Sequence, residues 1–201
     1  MKGLTLLGYL VVLLNCSTIH ADYFTPQELK ALPKYCQDKL ANKNTSHWTR
    51  VFGGNWAHMR HYCGAVAWYS KALTAPLGAT GTNGRAFFLT ETIGNLNYSI
   101  RSATSRAAST PGAATWPLLP KAYYNLAKAL EAKGQDNEAL KNYLQAIKLK
   151  KNFALAYAST SDSFKKIGDI ENAKKYIEEG LKHSPNSKSL KRRKNKLDSI
   201  K

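Results

Sequence analysis

Residues 120–186 carry the strongest constraint in this chain: two stretches superpose at an offset of about 34 residues. Laid over each other, they pair Tyr123 with Tyr157, Leu130 with Phe164, Gly134 with Gly168, Ala139 with Ala173 and Ile147 with Leu181. The paired residues are apolar or small at helical spacing, so each stretch reads as two antiparallel helices joined by a turn. Neither hairpin can bury its apolar face alone, and the copies must stack. Gly134 and Gly168 follow helical runs, where a left-handed residue ends a helix. Ala139 and Ala173 let the second helix of each hairpin approach the first, and Pro185 closes the second copy.

The set Tyr123, Leu126, Ala127, Leu130, Gly134, Ala139, Tyr143, Ala146 and Ile147 resembles the tetratricopeptide repeat family. The second copy keeps Tyr157, Phe164, Gly168, Ala173 and Pro185. It departs at Thr160 and Ser161, which stand where the first has Leu126 and Ala127, and at Gly180, which replaces Ala146. The resemblance implies an all-α fold, a short helical-hairpin solenoid whose first helices line a concave surface that reads a peptide or partner segment. Carried over residue by residue, that surface would present Lys121, Tyr124, Lys128 and Glu131 from one repeat. The next would add Leu155, Ala158, Asp162, Lys165 and Lys166. The lysines around Tyr124 favour an extended ligand carrying carboxylates.

Ahead of the repeats, residues 22–117 read as a helical region with a degenerate repeat-like hairpin. Thr25-Pro26-Gln27-Glu28 starts a helix, with Thr25 as cap and Pro26 in the first turn, and Leu29, Leu32 and Cys36 share its face through Lys39. Asn42 to Gly54 is polar and glycine-bearing and reads as a connection. Asn55 to Leu73 is helical, with an apolar stripe of Trp56, Met59, Cys63, Val66 and Ala67. Pro76 to Arg85 is a loop, and Ala86 to Thr104 returns to helical spacing through Phe88, Thr92, Leu96 and Ile100. Ser105 to Pro117 reads as an extended connection, and Pro120 starts the repeats. The mature length suits six or seven helices in one domain.

The chain opens with Lys2 and an apolar run from Leu4 to Leu14, then a polar stretch and a cleavage site after Ala21, the layout of a secretory signal peptide over residues 1–21. The run is too short to span a bilayer, which takes about 20 apolar residues. Asn15 ahead of Cys16 weighs against a lipoprotein signal. Export would place the mature chain in the periplasm or envelope, where the remaining pair, Cys36 and Cys63, is a disulfide candidate.

The formal net charge is +17. Part of it sits in residues 187–201, where Lys188, Lys191, Arg192, Arg193, Lys194 and Lys196 form a basic patch on a capping helix with a thin stripe of Leu190, Leu197 and Ile200. Such an end helix covers the open face of a repeat array. The charge favours acidic partners: an acidic protein or peptide segment, or an anionic envelope surface. Export argues against nucleic acid. Nothing in the pattern carries catalysis or a cofactor. His58, His61 and Cys63 are metal-binding residue types, but on a helix Cys63 points away from the histidines and is wanted for the disulfide. Gly78, Gly81 and Gly84 lack the Gly-Lys-Ser/Thr element of a phosphate loop. The sequence thus points to a non-enzymatic exported adaptor, with envelope binding through the basic helix as the alternative.

Overall fold

The computed structural model describes residues 24–110 and 115–200, so the expected signal peptide lies outside the described residues. Helices account for the regular structure described: α1 (Pro26–Lys30), α2 (Lys34–Leu40), α3 (Thr45–Phe52), α4 (Met59–Thr74), α5 (Arg85–Ser109), α6 (Leu119–Ala132), α7 (Asp136–Leu149), α8 (Ala154–Lys166), α9 (Ile170–His183) and α10 (Lys188–Asp198). Short 3₁₀ turns at Gly53–His58 and Gly81–Asn83 flank α4 and lead into α5.

This is more helices than the six or seven expected, because the N-terminal part is cut into short pieces. Thr25 caps α1 in a reciprocal capping box with Glu28, and Pro26 sits in the first turn. The helix does not run on to Lys39. Pro33 disfavours helical backbone at Leu32 and supplies no N–H, so the chain restarts as α2. The expected connection from Asn42 to Gly54 is also corrected, since it contains α3. Asn42 and Asn44 take left-handed backbone, which suits their short polar side chains, and the chain turns there into a new helix. Four-residue spacing then lays Trp48, Phe52 and Trp56 in a stack, with ring centroids 5.8 Å and 6.1 Å apart. Ser105–Ser109, expected to be extended, continues α5.

Asp38 holds this corner together. Its side chain is buried yet accepts hydrogen bonds from Asn44 Nδ2 at 2.9 Å and Trp48 Nε1 at 2.8 Å, and pairs with Lys34. Lys34 first, then Asn44 and Trp48, hold its carboxyl down at about 2. Cys36 and Cys63 are joined by a disulfide with Cα atoms 5.2 Å apart, which fastens α2 to α4.

From α4 onward the chain is a stack of hairpins: α4 with α5, α6 with α7, α8 with α9, and α10 closing on α9 and α8. The two turns marked by Gly134 and Gly168 are alike to the hydrogen bond. Each glycine has φ above +80°, and the two residues there donate backward in matching pairs. Gly134 donates to Glu131 O and Gln135 to Leu130 O; Gly168 donates to Lys165 O and Asp169 to Phe164 O. That is the Schellman termination, which wants a residue without Cβ.

Two clusters of buried residues result. One runs from Phe24 to Tyr143 and the other from Ala146 to Leu197, so the division falls inside α7.

Candidate functional site

Of the first helices of successive hairpins, α4 packs against α6, and α8 packs against α10. Tyr69 of α4 lies in the electrostatic reach of Lys128, Glu131 and Tyr124 of α6. Arg193 of α10 lies in that of Tyr124. One face is therefore shared by residues distant in sequence.

On α6, Lys121 is exposed and Tyr124 is half-buried, its ring 5.6 Å from Tyr143 and 5.2 Å from Phe153. Lys128 Nζ meets Glu131 Oε2 at 2.8 Å, and the Tyr143 hydroxyl donates to the same oxygen at 2.9 Å. Burial pushes the Lys128 ammonium down, but the Glu131 carboxylate outweighs it and the net shift is upward. Glu131 is thus committed within the protein, and what it offers a ligand is a neutralised pair.

On α8 the picture is mixed. Leu155 is exposed, but Ala158 is buried at 2% exposure and displays nothing, a correction to the carried-over surface: α10 and α9 close over that side of α8. Asp162 is gripped by Arg193, whose Nε donates to both carboxylate oxygens at 3.0 Å while Nη2 donates to Oδ2 at 2.7 Å. This fork raises Arg193 above its usual range. Lys166 reaches Asp136 Oδ2 at 2.7 Å and ties the end of α8 to the start of α7. Lys165 is exposed.

The six basic residues of α10 do not form one patch. Leu190 and Leu197 seat the helix, so its charged side chains leave in different directions. Arg193 turns to Asp162 and to Ser189 Oγ at 2.6 Å, and Lys194 turns to Asp198 at 3.1 Å and Glu178 at 3.6 Å. Lys188 and Lys191 face solvent. Arg192 and Lys196 line a cleft of about 180 Å³ between α8 and α10, together with Ser161, Asp162, Lys165, Arg193 and Leu197. Four cations there face one carboxylate, and Arg193 already occupies that carboxylate. Lys165, Arg192 and Lys196 are left to meet an incoming anion.

Arg192 and Lys196, expected only on the basic end helix, line this cleft as well. One further step of the repeat offset finds them. Tyr124 leads to Ala158 and then Arg192, and Lys128 leads to Asp162 and then Lys196. The helix after the second repeat occupies the place of a third first-helix.

Residues 120–153 and 154–187 each match a tetratricopeptide repeat, together about a third of the chain. No curated protein is similar to the chain by sequence. Among solved structures, the Sgt2 TPR domain from Aspergillus fumigatus is 17% identical over 67% of this chain and 76% of that one, with a TM-score of 0.46. The first TPR of Spaghetti (RPAP3), bound to the HSP90 peptide SRMEEVD, is 17% identical over 67% and 92%, with a TM-score of 0.45. The second TPR domain of human RPAP3, in complex with the HSP70 peptide SGPTIEEVD, is 20% identical over 67% and 98%, with a TM-score of 0.38.

Proposed function

We propose, from the match of residues 120–187 to two tetratricopeptide repeats, a module that mediates protein interactions, that the chain is a non-enzymatic exported scaffold of the bacterial envelope whose concave face docks an acidic segment of a protein partner. The observation that carries the acidic preference is the α8–α10 cleft, where Lys165, Arg192 and Lys196 converge beside a carboxylate already neutralised by Arg193. A partner's carboxylates would be met there without displacing an internal pair. Tyr124, packed between Tyr143 and Phe153, gives the neighbouring α6 surface a fixed aromatic edge for an extended segment.

The exported setting rests on the apolar run from Leu4 to Leu14 and on the Cys36–Cys63 disulfide, a bond that persists in oxidising compartments.

The test is titration of the chain with acidic peptides of mixed sequence, read by fluorescence anisotropy at several salt concentrations. Binding that weakens with salt and is lost in Arg192→Glu/Lys196→Glu is the expected result. Equal binding by the charge-reversed variant would rule the cleft out. Point reversals are preferred to deleting residues 187–201, because Leu190 and Leu197 are buried and their removal would open the second core.

A further inference from the structure

Stacking places the C-terminal ends of α7 and α9 on one edge of the array, next to the N-terminal ends of α8 and α10. The Ser184 hydroxyl donates to Asn152 O at 3.3 Å and ties the two inter-repeat loops together, and the His183 ring lies over Tyr157 at 6.2 Å. That edge carries Lys148, Lys150, Lys151, Lys182, His183 and Lys188, all exposed. Lys148 and Lys182 are one repeat apart in register. None of the five lysines has an ion pair among the described residues; elsewhere on the array Lys128, Lys141, Lys166 and Lys194 have one, and Lys165, Lys174, Lys175 and Lys196 share the edge's lack of one.

The acids lie mostly at the other end of the hairpins. Asp136, Glu138, Asp169 and Glu171 sit at the starts of α7 and α9, by the intra-repeat turns. Glu178 and Glu179 lie one turn before Lys182 on α9; Glu178 pairs with Lys194, and Glu179 accepts the Tyr157 hydroxyl at 3.3 Å. The array therefore has one basic edge and one edge where the two signs are mixed and partly paired, as in Lys141 with Glu138 and Lys166 with Asp136. Two aliphatic side chains are exposed amid the basic residues, Leu149 at 40% and Leu155 at 53%.

We infer that this edge, rather than the end helix alone, is a docking surface for an anionic lipid bilayer. Lysines on an exposed edge gain from the negative potential of a bilayer surface, and their apolar stems can lie along the headgroup region. Leu149 and Leu155 enter the acyl boundary between them, a contribution that a soluble polyanion has no apolar phase to reward. The edge shares Leu155 with the face expected from the repeat register but none of the residues lining the α8–α10 cleft, so the cleft stays open while the edge is engaged.

The test is sedimentation of the full chain with phosphatidylcholine vesicles, with and without phosphatidylglycerol, and a parallel titration with soluble polyphosphate. The expected result is binding to the anionic vesicles alone, reduced about tenfold or more in Lys148→Glu/Lys182→Glu. Arg192→Glu/Lys196→Glu should keep vesicle binding. Leu149→Ser/Leu155→Ser should weaken vesicle binding and leave polyphosphate binding unchanged. Undiminished vesicle binding by the edge reversal, or an equal loss in the cleft reversal, overturns the assignment. So does a leucine variant that binds vesicles like the parent chain, which would identify a general polyanion surface. Failure here leaves the acidic-peptide titration unaffected, since the edge variants retain the cleft.

Discussion

The two buried clusters solve the same problem of covering helical faces with different materials. The first, from Phe24 to Tyr143, is built of large rings and a covalent tie: Trp56, Tyr62, Trp68, Phe88 and Trp116 are buried, and the Cys36–Cys63 disulfide fastens the short α2 to α4. The second, from Ala146 to Leu197, is built of Ala156, Tyr157, Ala158, Ala173 and Ile177 and is sealed by Leu190 and Leu197 of α10. Helices too short to hold themselves need external staples, since an isolated helix below about 12–15 residues is marginal in water. The second cluster instead relies on close backbone approach between helices of 13 and 14 residues, α8 and α9, and so its sensitivities lie in small residues.

Removing the disulfide should have the largest effect. Its sequence separation is 27 residues, and Cys36→Ser/Cys63→Ser should cost about 3–4 kcal/mol on the chain-entropy account. Hydrogen exchange followed by mass spectrometry should show α1 to α3 opening first while α8 and α9 keep their protection. Uniform loss across both clusters would mean that they fold as one unit.

A Cβ at Gly180 would lie 2.8 Å from Tyr157 Cβ and Cγ and 3.0 Å from Leu190 Cδ1. Gly180→Ala should therefore destabilise the second cluster by about 1–2 kcal/mol, overpacking outweighing the helical preference for alanine. Chemical denaturation would check it, and a stabilised variant would show that α10 can shift outward freely.

The smallest effect has the opposite sign. Thr160 is buried and its hydroxyl has no hydrogen-bond partner among the described residues, whereas Ser161 beside it donates to Ala173 O at 2.9 Å. Thr160→Val should stabilise the second cluster by about 1 kcal/mol, while Ser161→Ala should weaken it, in the same denaturation assay.

These positions also show how far the sequence could be read. Thr160, Ser161 and Gly180 looked like a loosened second repeat, yet two of the three have tertiary reasons: Ser161 bonds across to α9, and Gly180 admits Tyr157 and α10. The expected uninterrupted first helix breaks at Pro33, which disfavours helical backbone at Leu32 and supplies no N–H. The connection at Asn42 to Gly54 hid α3 because its polar residues masked the four-residue spacing of Trp48, Phe52 and Trp56. At the candidate site, Lys121, Tyr124, Lys128 and Lys165 were legible from the repeat register, and Arg192 and Lys196 would have followed from one more period.

The sequence by itself determined the repeat hairpins and their inner turns, because periodic apolar residues and a glycine at each intra-repeat turn act locally, within a few residues of where they stand. Only the tertiary structure decided which charges remain available. Whether a lysine is paired depends on carboxylates brought from other helices, as Asp162 is to Arg193 across 31 residues and Asp136 to Lys166 across 30. No local pattern encodes those meetings. The α8–α10 cleft and the basic edge of the inter-repeat loops are what remains once the internal pairs have formed.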